Sequence, residues 1–180
     1  MSFKTVILMK KPADGGEVKI KSLKDLADQT DIKYGVVKDG ATENFFKQAT
    51  DATNQKIYQE MMKDPALMAA TSDKGVEKVR KDGGKYAFII EASTGEYWEK
   101  KTPCDLVSVP VDTIERSYAI AVKKGSPLKA ELSTAIDGMK SDLDKLKAKW
   151  WANECSAAVA PQHYGGFVLA LAVLATILKI

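Results

Sequence analysis

The C-terminal part of the chain contains a run without charge that constrains the fold more than any other feature. The fifteen residues from Tyr164 to Leu178 carry no charged side chain, and only Lys179 and Ile180 follow them. As a helix, this run would span about 22 Å, whereas a complete bilayer crossing needs about 20 residues. Because the run has no amphipathic pattern, we interpret residues 164–180 as the truncated start of a transmembrane helix. A buried C-terminal core helix is the alternative.

The N-terminal segment does not have the pattern of a secretory signal. After Thr5 only four consecutive apolar residues occur, which is too few for the hydrophobic region of a signal peptide. We therefore expect either a cytosolic protein or an internal piece of a longer chain. Residues 1–21 are rich in lysine and contain a Pro-Ala-Asp-Gly-Gly break, which predicts a linker with room for one short strand.

Composition excludes several classes of function. The net charge of +3, from 27 basic and 24 acidic residues among 180, is too small and too evenly spread for a nucleic-acid-binding protein. One histidine, His163, and two cysteines cannot build a four-ligand Cys/His zinc site without carboxylates. A Ser-His-Asp enzyme would have to use His163, beside the apolar run. We therefore expect no enzyme, no metal and no cofactor.

Between these ends, short apolar strands alternate with amphipathic helices. Strands are predicted at Tyr34–Val37, Tyr86–Ile90 and Ser117–Val122. Helices are predicted at 23–29, 43–49, 54–63, 74–81, 127–139 and 141–151. The alternation indicates an α/β fold.

The segment Gly40-Ala41-Thr42 precedes a predicted helix and could hold an anion. Free N–H groups and the helix dipole favour negative charge at a helix start, and small residues let a carboxylate approach the backbone. The Thr42 hydroxyl could add a donor. An ordinary helix cap is the simpler interpretation.

Glu91 follows the apolar strand Tyr86–Ile90 directly. A carboxylate there must be solvated or paired, and ligands of α/β sheets bind beyond the carboxyl ends of strands. Glu91 could therefore hold an ammonium group, although a surface charge at a strand end explains it as well. Together with an anion site at Thr42, it would suit an amino acid.

Cys104 and Cys155 are 51 positions apart. A bridge between them would stabilise the fold by roughly 4 kcal/mol and would imply an extracytoplasmic location. Two free buried thiols are equally compatible with the residues alone.

Several motifs, in order, resemble the second ligand-binding segment of ionotropic glutamate receptors of the kainate and AMPA type. The segments that carry this resemblance are Asp25–Gly35, Asp39–Phe46, Gly75–Arg80, Gly84–Glu91, Pro103–Asp105, Ser117–Ala121 and Leu146–Trp151. The order and spacing match from about Ser22 to Cys155, and the apolar run falls where the last transmembrane helix of the family begins.

The resemblance implies an incomplete clamshell of the type II periplasmic-binding-protein-like fold, with a C-terminal transmembrane helix. The implied organisation is a linker from the pore helix at 1–21, a lower ligand-binding lobe at 22–113, a return segment to the upper lobe at 114–155, a linker at 156–163 and the membrane helix at 164–180. It also implies a disulfide between Cys104 and Cys155.

The resemblance further implies a role for individual residues. The amides of Ala41 and Thr42 and the Thr42 hydroxyl would hold the side-chain carboxylate of the ligand, and Glu91 would hold its ammonium group. Four further residues would surround the ligand: Val37 and Thr94 in the pocket, Tyr118 near the hinge and Ser72 at the edge between the lobes.

The implied function is part of a glutamate-gated cation channel. L-glutamate or a related amino acid, the membrane and other subunits of a tetramer would be its partners, and nucleic acid would not. The location would be the plasma membrane, including the postsynaptic membrane, with the ligand-binding part outside the cell. The first ligand-binding segment and its arginine have no counterpart here, so the chain looks like a C-terminal fragment. A soluble amino-acid-binding protein of the bacterial transport type and a non-conducting receptor fragment are the alternatives.

Overall fold

The computed structural model describes residues 2–117 and 119–156. A four-stranded mixed sheet forms its centre, in the order β2-β3-β1-β4. The strands are β1 (Ser2–Lys10), β2 (Lys33–Gly35), β3 (Tyr86–Glu91) and β4 (Leu106–Ser117). The helices are α1 (Leu23–Asp28), α2 (Ala41–Gln48), α3 (Ala52–Met62), α4 (Ser72–Lys81), α5 (Ala92–Glu99), α6 (Leu128–Gly138) and α7 (Lys140–Trp150), with a 3₁₀ turn at Pro65–Leu67.

The central strands are buried on both faces, which explains their continuous apolar sequences. On one face, Ile7 and Ile89 pack among side chains of α1, α2 and α3. On the other face, Leu8 and Phe88 pack against α4 and α5. Alternate residues of one strand therefore reach different helical layers. The predicted α/β fold is confirmed, as one sheet with a layer of helices on each face.

Strand β1 differs from the linker predicted for residues 1–21. It lies inside the sheet and pairs antiparallel with both β3 and β4. Its four residues Val6–Met9 are at most 4% exposed. Burial of this apolar run, together with hydrogen bonding on both sides, makes residues 2–10 part of the folded core rather than a connection to it.

The structure also differs from the prediction at α5, at β4 and at the strand expected at 117–122. Helix α5 and strand β4 were not predicted, and the strand expected at 117–122 is replaced by a β4 that ends at Ser117, with residues 119–123 outside any strand. A strand persists only where a neighbour satisfies its backbone groups, and no described strand lies beside 119–122.

The remaining helices begin and end within about two residues of the predicted positions. Within residues 2–117 and 119–156, no helix combines the length and apolar character that crossing a bilayer requires. The membrane helix predicted at 164–180 and the linker at 156–163 lie outside these residues, except for Ser156.

Candidate functional site

The candidate site lies at the C-terminal edge of the sheet, by which we mean the side on which strands β2 and β3 both end. The two strands are parallel, with Tyr34 opposite Ala87 and Gly35 opposite Phe88. Their carboxyl ends therefore face the same side, which is the edge where ligands of α/β sheets bind. The chain leaves β2 toward α2 and leaves β3 directly into α5.

A third helix begins at this edge. Val37 pairs with Ala69 in a parallel bridge, and the Lys38 amide donates to the Ala69 carbonyl over 2.9 Å. The segment that leads into α4 thus runs alongside the segment that leads into α2. The starts of α2, α4 and α5 share one edge, and their dipoles make it favourable for negative charge.

The turn before α2 leaves the start of this helix without a side-chain cap. Its N-cap residue is Gly40, which has no side chain to accept from the first-turn amides. Asp39 has a φ of 58°, a left-handed conformation that Asp tolerates better than most residues. Its amide donates to the carboxylate of Glu43, and the Gly40 amide donates to the Val37 carbonyl. Ala41 and Thr42 are the first two residues of the helix, so their amides point toward the edge.

Glu91 is the last residue of β3 and the N-cap residue of α5. Its side chain is partly exposed, whereas the five residues before it are buried. The strand Tyr86–Ile90 therefore positions a carboxylate at the same edge as the start of α2, one strand away.

The other predicted site residues lie as follows. Val37 is in the bridge to Ala69, Ser72 is the first residue of α4, and Thr94 is in the first turn of α5. All three belong to segments that start at this edge. Tyr118 lies outside the described residues.

The floor of the site depends on contacts that the sequence did not reveal. The buried Tyr86 hydroxyl donates to the Leu67 carbonyl over 2.6 Å, close to Gly35. Burial raises the pKa of Tyr86, and the negative charge of Asp82 adds to this effect. The bond attaches the 3₁₀ turn to the sheet directly below the bridge at Ala69. The only sequence signal for this close contact is Gly35, followed by two valines, at the end of β2.

The C-terminal end of α7 is attached to α5. Cys104 and Cys155 form the implied disulfide, with their Cα atoms 5.5 Å apart. The Trp151 indole donates to the Ser93 carbonyl over 2.7 Å, and Glu154 pairs with Lys101 over 2.6 Å. These bonds hold α5, the helix that follows Glu91, in place. Within the described part of the chain, no cluster of histidine, cysteine, aspartate and glutamate is arranged to hold a metal.

Comparison with known proteins adds independent findings. No family model matches the chain. Glutamate receptor 3 of Mus musculus is 38% identical over 143 residues, which is 77% of this chain and 16% of the receptor. Glutamate receptor 3 of Homo sapiens is 37% identical over the same length, and that of Macaca fascicularis is 38% identical over 135 residues. The chain therefore spans about 16% of the length of these relatives.

A solved structure, Drosophila muscle GluRIIB in complex with glutamate, matches with a TM-score of 0.71 and 28% identity. The match covers 85% of this chain and 60% of that one. The relatives are named as receptors, in agreement with the prediction that the chain is not an enzyme. Sequence and structure together show that the chain belongs to the ionotropic glutamate receptor family.

Proposed function

We propose that this chain supplies the lower half of the glutamate-binding clamshell of a glutamate-gated cation channel. The observation that carries the proposal is that Glu91 and the uncapped start of α2 leave neighbouring parallel strands at the same edge of the sheet. An acidic side chain and a set of free amides so arranged match the two opposite charges of an amino acid. The glutamate bound to the Drosophila relative supports this choice of ligand.

In the proposed complex, the side-chain carboxylate of glutamate accepts from the Ala41 and Thr42 amides and the Thr42 hydroxyl. The helix dipole of α2 adds to this attraction. The ammonium group donates to Glu91. Charge-assisted hydrogen bonds of this kind contribute about 1.5–3 kcal/mol each. Val37, Thr94 and Ser72 surround the ligand from the bridge, α5 and α4, and Tyr118 lies near the hinge.

The return segment at 114–155 is proposed to complete an upper lobe that other residues of the receptor provide. Helices α6 and α7 have no buried residue in the described part of the chain. Large apolar side chains on these helices and at Met139, between them, are about half exposed: Leu128, Ile136, Met139, Leu146 and Trp150. An apolar surface of this kind is typical of an interface that is covered in the complete protein.

Closure of the two lobes around glutamate is the proposed gating step. An agonist shifts the equilibrium only by its preference for the closed form, so Glu91 and the start of α2 must bind more strongly there. Because β1 is hydrogen-bonded inside the sheet, movement of the lobe carries residues 2–10 with it as one body. We further propose a plasma-membrane location, a membrane helix at 164–180 and assembly with other subunits, as in a tetramer.

The test is the exchange of Glu91 for glutamine in a full receptor that contains this segment. Loss of the ammonium contact should weaken glutamate binding and raise the half-maximal concentration of the current at least tenfold, with surface expression unchanged. Glu77→Gln, which removes the same charge from the surface of α4, serves as the control and should change neither quantity. Unaltered glutamate potency in Glu91→Gln would refute the assignment.

A further inference from the structure

A cavity lies on the side of the sheet opposite the candidate glutamate site, where β2 begins. It has a volume of about 300 Å³ and is enclosed by the end of α1, the start of β2, the second half of α3 and the 3₁₀ turn. This volume is at the lower end of the range of pockets that hold small molecules, about 300–1,000 Å³. Of its lining residues, Leu67 also contributes its carbonyl to the floor of the glutamate site, whereas the proposed ligand contacts at Lys33 and Tyr34 lie at the start of β2, away from the carboxyl ends of the strands.

One wall of this cavity contains a buried polar group with no partner. Tyr34 lines the cavity and is only 4% exposed, yet its hydroxyl has no hydrogen-bond partner among the described residues. Burial raises the pKa of Tyr34 to about 12, with a smaller contribution from the charge of Glu60. The hydroxyl is therefore protonated at neutral pH and can donate. Buried donors without an acceptor are rare in folded proteins and call for an explanation.

The charged side chains around the cavity are unevenly paired. Asp28 binds both Lys24 and Lys56, and Glu60 binds Lys63. The Asp64 carboxylate accepts from the Ala66 amide.

Lys33, which also lines the cavity, forms no ion pair with any residue that the structure describes. Its charge contributes to lowering the pKa of Glu60, after the hydrogen bond and the charge of Lys63. Among the described residues, the buried Tyr34 hydroxyl thus has no acceptor, and the exposed Lys33 ammonium beside it has no ion-pair partner. Glu60, whose charge acts on Tyr34 and is acted on by Lys33, already has a positive partner in Lys63.

The remaining lining residues are partly polar, at Gln29 and Thr30, and partly apolar. Ala27, Ile32 and Leu67 line the cavity beside the Tyr34 ring. A ligand that satisfies all of these groups has an acceptor with a negative charge at one end and a compact apolar body at the other. We propose that this cavity is a second binding site, for a small organic carboxylate held by Lys33 and the Tyr34 hydroxyl with its apolar part against Ile32 and Leu67.

The probe is sodium benzoate, titrated into the full 180-residue chain and followed by ¹⁵N–¹H NMR. Amides at 27–34 and 60–64 should shift in a saturable manner, and neutral benzyl alcohol at the same concentrations should leave them unshifted. Tyr34→Phe keeps the ring and removes only the donor, so it should weaken benzoate binding about tenfold. Lys33→Gln should weaken it by a similar factor.

Lys47→Gln, on exposed α2, is the matched control and should bind benzoate as the unaltered chain does. Retention of the dispersed spectrum in each variant shows that the fold is intact. The proposal is overturned if benzoate produces no saturable shift up to millimolar concentration, if the shifts centre on Ala41 and Glu91 instead, or if neither Tyr34→Phe nor Lys33→Gln weakens binding. Because the probe is not an amino acid and the site is at the other edge, these outcomes are independent of the glutamate proposal.

Discussion

Gly35→Ala is the perturbation for which the structure predicts the largest effect at the candidate site. Gly35 ends β2, next to the segment that leads into α2. A Cβ at this position would lie 1.9 Å from the Leu67 carbonyl oxygen and 2.6 Å from the Tyr86 hydroxyl oxygen. Real Cβ contacts are essentially never closer than 3.0 Å, so the strand and the 3₁₀ turn must separate by about 1 Å.

Two costs follow from this separation. Overpacking of a closely packed site costs about 1–3 kcal/mol. The displaced Leu67 carbonyl also loses the buried hydrogen bond from Tyr86, which leaves polar groups unpaired at a cost of about 1–3 kcal/mol. We therefore expect the free energy of unfolding to fall by about 2–6 kcal/mol, a large part of the roughly 5–15 kcal/mol that is typical of a domain.

Urea denaturation, followed by circular dichroism, measures this loss. Gly138→Ala is the control, because a Cβ there meets nothing within 4 Å and alanine favours the helix. It should leave stability unchanged or raise it by up to about 1 kcal/mol. A loss below about 1 kcal/mol for Gly35→Ala would show that the 3₁₀ turn yields easily, and would refute the role of this close contact in holding the floor of the site.

Three further predictions concern the disulfide, two buried tyrosine hydroxyls and the ion pairs of Glu77. Reduction of the Cys104–Cys155 disulfide should lower stability by about 4 kcal/mol, measured by urea denaturation with and without reductant; no change would contradict the chain-entropy argument. Tyr86→Phe should lower stability by about 1–3 kcal/mol because the Leu67 carbonyl loses its donor, whereas Tyr34→Phe should lower it little or not at all; equal losses would refute the difference in pairing. Hydrogen bonds from two lysines, first Lys74 and then Lys81, lower the pKa of Glu77 from 4.5 to about 2, so its stabilising effect is present above pH 4.5 and is lost as the pH falls toward 2; a carboxyl ¹³C titration with a midpoint near 4.5 would contradict this.

The predictions from sequence succeeded where local pattern and burial act together. The apolar strand Tyr86–Ile90 is buried on both faces as predicted, and a serine caps the helix that begins at Leu23. Glu91 follows the strand directly, so its position at the strand end follows from the chain itself.

Helix α5 and strand β4 could not be read from local pattern. Gly95 weakens α5 as an isolated helix, yet a Cβ there would lie 2.4 Å from the Val6 side chain, so glycine lets the helix approach β1. Pro110 argues against a strand, but β4 is at the edge of the sheet, where proline is tolerated. In both cases a distant strand decides the local structure.

The chain by itself determined the α/β class, the buried strand and the approximate positions of the helices. These depend on residues within one turn or one strand of each other, where periodicity and capping act. Only the tertiary structure decided that β2 and β3 are parallel neighbours, that β1 lies between β3 and β4, and that Gly35 is in contact with Leu67. Such pairings join residues far apart in sequence through backbone hydrogen bonds and close packing, and neither of these leaves a periodic trace in the sequence.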